Sequence, residues 1–355
     1  MDSRLPREVE VSRPTVNDIA REAGVSLATV DRVMNARPGV REKTARRVNE
    51  AIERLGYVRD VAAANLARRR AYRLAFVLPD SRTAFMTALR TAIEHAAAVA
   101  AHDRTRAEIL TVPAFDSTAY ARLLDGLPQE GFDGVALMAP ETPQVRDAIR
   151  RLGEAGLAVV AFVSDQPQAA RDRFVGIDNI AAGRTAGMLL GRFVRRADAI
   201  VLVVAGSMMS RDHMERRLGF DRVVLERFPG FRVLPSLEGR DDSESLARLL
   251  SAALDAQPRI DAVYSLGAGQ RGLIETLRRR DPQRRLTVVA HELTPATRGA
   301  LEDGTIDAVI TQDVGHMARS ALRVLRAKID AMPIDPGQEQ IRIEILLREN
   351  LPPPG

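Results

Sequence analysis

The chain has no cysteine and no tryptophan, its aromatic content is 4%, and only Lys43 and Lys328 among its 52 basic residues are lysines. Without cysteine there is no disulfide framework and no thiolate chemistry, and the composition suits a reducing interior. Long hydrophobic runs are also missing: the longest, "LAVVAFV" and "AIVLVVA", have the length of strands and exclude a transmembrane helix. The opening "MDSRLPREVEVSRPTV" holds no apolar stretch of a secretory leader. A cytoplasmic protein with no membrane partner is therefore expected. The five histidines, at 95, 102, 213, 291 and 316, fall in no metal-ligand spacing. Neither a nucleophile elbow nor a phosphate-binding loop occurs, so no metal, cofactor or catalytic residue is assigned.

What is present is a long chain with an uneven charge. Its 355 residues, 45% hydrophobic and 28% charged, suffice for two or three globular domains. Residues 1–73 carry 16 Lys/Arg against 10 Asp/Glu, whereas the other 282 carry 36 against 37. The whole positive surplus thus sits in the first fifth, as expected of an end that meets a polyanion. Coding bias accounts for arginine over lysine, but not for this asymmetry.

The segment "RPTVNDIAREAGVSLATVDRVMNARPGVREKTARRVNEAIERLGY" reads as three short helices. Thr15 and Asp18 form a capping-box-like start, and Val16, Ile19, Ala20 and Ala23 recur at helical spacing, predicting a helix from about Val16 to Ala23. Gly24 permits a positive φ, and Ser26 caps a second helix with Val30, Val33 and Met34 on its apolar face. A third, roughly Glu42 to Leu55, closes a small core with Ala45, Val48, Ile52 and Leu55 and stops at Gly56. Two helices joined by A-G-V-S make a helix-turn-helix. The N-terminal residues of its second helix, Leu27, Ala28 and Arg32, point towards bases in the major groove, Arg32 being the candidate for guanine. Beyond Tyr57, the Ala-rich piece from Val61 to Arg70 is a marginal helix on its own.

"TVNDIAREAGVSLATVDRVMN" followed by "TARRVNEAIERLGYVRDVAAANLARRR" resembles the DNA-binding head and hinge of the lactose-repressor/galactose-repressor (LacI/GalR) family of bacterial transcription regulators, over about Pro14 to Arg69. The resemblance implies that Leu66 wedges into the minor groove while Arg68, Arg69 and Arg70 hold phosphates. The DNA-facing set is then Thr15, Ser26, Leu27, Ala28, Thr29, Arg32, Asn35, Leu66, Arg68 and Arg69. Asp31 stands where the family usually has a small hydroxyl residue, which bears on the half-site sequence. The expected partners are double-stranded operator DNA, a sugar-like effector and a second copy of the chain in a homodimer. "RENLPPPG" at the end shows no heptads for a tetramerising coiled coil.

From Tyr72 onwards "YRLAFVLP", "AEILTV", "DGVALMAP", "LAVVAFV", "AIVLVVA", "DAVYSL", "LTVVAH" and "DAVITQD" alternate with amphipathic helices, predicting parallel βαβ units. The resemblance implies two doubly wound lobes of periplasmic-binding-protein type, dividing near Val163 to Gly176, with the chain crossing back near its C-terminus. The expected fold is a small all-α head plus this α/β body. Its expected boundaries are a disordered extension at 1–13, the head at 14–59, a hinge at 60–71, the two-lobed body at 72–349 and a tail at 350–355.

Ligands in such sheets lie beyond the carboxyl ends of the strands. The candidates there are Ser81, Arg82, Phe85, Asp178, Arg216, Gly267, Gln270, Glu292 and Gln312. By resemblance Arg216 clamps ligand hydroxyls or a carboxylate, and Glu292 replaces a family aspartate that accepts hydroxyl hydrogen bonds. Asp178 reads equally as a ligand and as a helix cap. Phe85 suits core packing or a sugar face, and His213 and His291 suit either the cleft or a satisfied interior. Gly267, Gly269 and Gly272 spell G-x-G-x-x-G, with Glu292 about 20 residues on. A dinucleotide fingerprint opens the first βαβ unit, however, and this one lies deep in the second lobe. The expectation is therefore a ligand-responsive regulator, in the sense of a repressor, whose effector is a sugar, polyol or sugar acid. An NAD-linked α/β enzyme with a DNA-binding head is the alternative, and a transport-type binding protein is contradicted by the basic head.

Overall fold

The computed structural model describes residues 14–34, 38–57, 70–240, 242–267 and 269–353. Its contacts divide the chain into two units, with the boundary between Arg70 and Ala71.

The first unit contains helices α1 (Val16–Ala23), α2 (Leu27–Met34) and α3 (Glu42–Leu55), as the periodicity predicts. Thr15 and Asp18 make the reciprocal capping box, and Gly24 ends α1 in the left-handed region at φ 60°. Ile19, Ala20, Ala23, Val30, Val48 and Ala51 form the buried core. A fully buried valine or isoleucine contributes roughly 1.5–3 kcal/mol, so this core is small and the turn must be well satisfied. Arg47 of α3 does that by donating from Nη2 to the carbonyls of Ala23 and Gly24. A Cβ at position 24 would stand 2.9 Å from that nitrogen, so a side chain there would displace the Arg47 guanidinium from these carbonyls.

In the second unit, β1 (Tyr72–Asp80), β2 (Thr105–Pro113), β3 (Gly134–Leu137), β4 (Ala158–Phe162) and β5 (Arg173–Val175) form one parallel sheet in the order β2-β1-β3-β4-β5. A second sheet has the order β12-β11-β10-β9-β6-β7, from β6 (Ile200–Ala205), β7 (Arg232–Val233), β9 (Ala262–Ser265), β10 (Thr287–His291), β11 (Ala308–Thr311) and β12 (Glu344–Leu346). A short β8 (Leu237–Glu238) also pairs with β6, and β12 is an antiparallel edge. All eight apolar runs are strands, with continuous burial along β3, β4, β6, β9 and β11 because helices cover both faces.

Helices α4 (Ala84–Ala100), α5 (Ser117–Gly126) and α6 (Pro143–Glu154) belong to the first lobe. The second lobe has α7 (Asn179–Phe193), α8 (Arg211–Arg227), α9 (Ser243–Ala256), α10 (Gln270–Arg280) and α11 (Pro295–Glu302). The first crossing between lobes follows β5, because Arg173–Val175 still pairs with β4. The last helix, α12 (Val314–Ile329), packs against α4, β3 and β4 of the first lobe before β12 rejoins the second sheet. Tyr72 and Asp330 (2.6 Å), and Lys328 and Asp172 (2.8 Å), tie α12 to the first lobe. The chain therefore passes between lobes three times, at 176–178, near 312 and again after 331.

Helices α7 and α8 meet backbone to backbone. A Cβ on Gly183 would lie 1.9 Å from the carbonyl oxygen of Arg216, and one on Gly219 would lie 2.1 Å from that of Ile180. Neither atom belongs to a side chain that can swing away. Gly183→Ala should therefore force the helices apart at a cost of about 1–3 kcal/mol. The expected outcome is a fall of several degrees in the melting midpoint of the body, followed by calorimetry, and an unchanged midpoint would show that the helices separate freely.

Candidate functional site

The head exposes the N-terminal end of α2. Val30 anchors α2 in the core, which leaves Leu27 (49% exposed), Ala28 and Arg32 facing outward. Arg32 has no hydrogen-bond partner among the described residues, whereas Thr15, Ser26 and Thr29 are engaged locally. Thr15 caps α1, and the Ser26 hydroxyl accepts from Thr29 N at 3.2 Å and pairs with Thr29 Oγ1 at 2.9 Å. Asn35, Leu66, Arg68 and Arg69 lie outside the described residues.

In the body, the carboxyl ends of both sheets face a common cavity. Five of the nine ligand candidates line it: Ser81, Phe85, Arg216, Gly267 and Glu292. The other four do not, and each for a physical reason. Asp178 caps α7, accepting from Ala181 N at 2.9 Å, so the cap reading holds for it. Arg82 is turned to solvent at the start of the β1–α4 loop. Gln270 is buried beneath the floor, donating to the carbonyls of His291 and Glu292 and accepting from Thr294 Oγ1 at 2.8 Å. Gln312 stands behind Glu292 and donates to its Oε1 at 3.1 Å.

Arg216, 2% exposed, organises the floor. Its Nε donates to Asn179 Oδ1 at 2.9 Å, its Nη1 to the Leu266 carbonyl at 2.7 Å and its Nη2 to Glu292 Oε1 at 3.0 Å. Glu292 follows β10 at φ 68°, a left-handed conformation that a non-glycine residue adopts only when its surroundings demand it. Burial raises the Glu292 carboxyl above its ordinary value, against the pull of Arg216 and Gln312. His291 beside it is wholly buried. Burial, with Arg216 and His213 adding to it, pushes its imidazole well below the usual value, and Tyr264 meets its Nε2 at 2.9 Å. A neutral interior histidine is therefore the outcome for His291, while His213 lines the cavity.

Sequence reading missed Asn179, Arg211 and Asp212. Asn179 is the residue after the cap, turned inward at the start of α7, and the other two form the first turn of α8. Arg211 pairs across the cleft with Glu141, in the loop after β3, and with Glu215 one turn along at 2.8 Å. Glu141 has no sequence signal, since only the folded chain brings it to α8.

The glycine fingerprint has a packing explanation. Gly269 sits at φ 66° as the cap of α10, where a Cβ would lie 2.5 Å from Leu246 Cδ2. A Cβ on Gly272 would stand 1.9 Å from the Ser243 carbonyl oxygen, so both glycines let α10 approach α9. Gly267, at φ 133°, faces Arg216 Nη1 at 3.2 Å from an added Cβ.

Removing one member of a buried ion pair strands the other, at a cost of about 3–5 kcal/mol. Arg216→Met, which keeps the bulk and removes the charge, should lower stability by that order and be partly rescued by adding Glu292→Gln. A denaturant titration of the four combinations measures the coupling, and additive losses would contradict a direct pair.

Residues 15–60 match the lacI family of bacterial regulatory proteins, and residues 74–332 match a periplasmic binding protein domain. Catabolite control protein A of Priestia megaterium is 42% identical over 80 residues, 22% of this chain and 24% of that one, so that match spans about a quarter of the relative. The HTH-type transcriptional regulator CelR of Thermobifida fusca is 25% identical over 350 residues, covering 95% of this chain and 98% of the relative. Among solved structures, an ABC-transporter solute binding protein from Burkholderia graminis in complex with D-arabinose superposes with a TM-score of 0.70 at 21% identity, covering 79% of this chain and 96% of that one. Among the described residues no helix is long and apolar enough to cross a membrane. The relatives are regulators, which overturns the alternative of an NAD-linked enzyme, and the chain belongs to the lacI family of bacterial regulatory proteins, with a periplasmic-binding-protein domain as its body.

Proposed function

We propose that the protein is a transcriptional repressor that binds a near-palindromic operator as a homodimer and responds to a sugar-sized effector held between the lobes of its body. The observation that carries this reading is the pairing, in one chain, of an outward-facing α2 end with a cleft floored by the buried Arg216–Glu292 pair. Leu27 and Ala28 supply apolar contact, as to a thymine methyl, and Arg32 the bidentate contact to guanine. The boundaries proposed for these tasks are 14–59 for the head, 60–71 for a hinge containing Leu66, Arg68 and Arg69, and 72–349 for the body. Cytoplasmic location follows from this role.

The relatives lend the effector its class. One is named a ribose operon repressor, from Halalkalibacterium halodurans, and the Burkholderia graminis structure holds a pentose. Ligand-driven closure of two lobes, linked across a dimer, is a direct way to couple such a molecule to DNA affinity.

An operator selected from random duplexes, titrated at fixed salt with and without candidate sugars, tests the reading. Arg32→Ala should weaken binding by about 1–3 kcal/mol, roughly 5- to 150-fold, and relax preference at one base pair in each half-site. Its melting midpoint should not move, because the side chain is exposed and makes no hydrogen bond or ion pair among the described residues. Equal affinity of the variant, or a sharp preference retained at every position, would remove Arg32 from the base-reading role.

A further inference from the structure

The charged side chains that line the cleft come from one lobe, and an excess of negative charge appears once the carboxylates paired behind them, Glu141 and Glu215, are counted. Arg211, Asp212, Arg216 and Glu292 are the charged side chains that line it, and all belong to the second lobe. The first lobe presents Phe85, Met86, Phe115 and Met138 beside the hydroxyls of Ser81, Thr83 and Ser164, of which Ser81 already accepts from Thr83 N at 3.4 Å and Thr83 from Met86 N at 3.3 Å. Tyr120 is there too, but its hydroxyl is spent on the Met138 carbonyl at 3.0 Å.

Both guanidinium groups are matched. Glu292 meets Arg216, while Glu141 and Glu215 both meet Arg211, so two cations already face three carboxylates. Asp165 nearby is neutralised by Arg171. Asp212 is the fourth carboxylate. It is 9% exposed, lines the cavity and accepts no hydrogen bond from any described residue. Its nearest basic neighbour is His213 Nε2 at 4.0 Å, beyond hydrogen-bond reach, and the other ring nitrogen of His213 is held by Ser207 O at 3.0 Å. Glu215 registers the same crowding: burial first, then the nearness of Asp165 and Asp212, raise its carboxyl above the ordinary value despite Arg211.

A carboxylate on a residue nine-tenths buried, with no hydrogen-bond donor among the described residues, gains from a ligand that pairs with it. The positive end of the α8 dipole, about half a charge, is too small to reverse the excess. An anionic ligand would add to the imbalance. A neutral polyol can donate hydrogen bonds to Asp212 but leaves its charge, whereas an ammonium group does both tasks. We propose that the cleft takes an organic cation, with a protonated amine on Asp212 and the apolar face of its carbon skeleton against Phe85, Met86 and Met138. An amino sugar and an arylalkylamine both meet this description, and a sugar acid does not. The proposal rests on the cleft being the effector site.

Calorimetric titration of the full-length protein with two matched sets tests it: glucosamine, glucose and gluconate, and 2-phenylethylamine, 2-phenylethanol and 3-phenylpropionate. In at least one set the amine should bind about tenfold tighter than its neutral and acidic counterparts at neutral pH. Asp212→Asn should abolish that advantage while the unliganded variant melts no lower than the parent, since it loses an uncompensated buried charge. Amine binding that survives Asp212→Asn, counterparts that bind as tightly in both sets, or no binding by either amine would overturn the proposal. Adding the bound amine to the operator assay separates the two readings. A change in DNA affinity supports both, while Asp212-dependent binding that leaves DNA affinity unaltered keeps the cation assignment and removes the effector role.

Discussion

The contact of α7 with α8, backbone against backbone at Gly183 and Gly219, governs where the chemistry of the body sits. Side chains at those two positions would hold the helices apart by the width of a methyl group. With them touching, Asn179 at the start of α7 reaches the guanidinium of Arg216 on α8, and Arg216 in turn reaches the Leu266 carbonyl and Glu292. One guanidinium thus links α7, α8 and the ends of β9 and β10. Its hydrogen bonds compensate the burial of a charge that alone would be unfavourable, and Gln312 from the end of β11 completes the shell around its carboxylate partner.

A cleft built this way is asymmetric. The first lobe brings four loops that follow β1, β2, β3 and β4, and their lining side chains are apolar or hydroxylic. The second lobe brings a rigid floor of paired charges. Arg211 is the cleft residue that reaches across, to Glu141, and it ties a loop of one lobe to the first turn of α8 in the other. Both lobes use the same local device to aim their loops: a strand ends, a Thr or Asp caps the next helix, and the loop between is short. Asp116, Thr142, Asp178, Thr294 and Asp313 all act so. The head uses a related economy, with Arg47 satisfying the carbonyls of the turn that Gly24 makes possible.

Most of the architecture was legible because its signals are local. Strands buried on both faces must be continuously apolar, so "LAVVAFV" and "AIVLVVA" announce themselves, and the capping box at Thr15 needs only four residues. The short edges β7, β8 and β12 were not legible, since two or three residues carry no period and their pairing depends on where β6 and β11 already lie. The site was legible in part. Arg216 and Glu292 were found at strand and helix ends, but Asp178 and Gln270 share those ends and serve the backbone instead. A cap and a ligand draw on the same residue types at the same position, and the direction of the side chain separates them only after the helix is placed.

By itself the sequence determined that a basic helix-turn-helix precedes an α/β body, because charge, caps and apolar period are properties of neighbouring residues. The tertiary structure decided which polar groups share the cleft. Glu141 and Arg211 are 70 positions apart, and Arg216 and Glu292 are 76 apart. Pairings at that separation are set by how the sheets and helices pack, so the surplus carboxylate of Asp212 becomes visible only when every other charge around it has been matched.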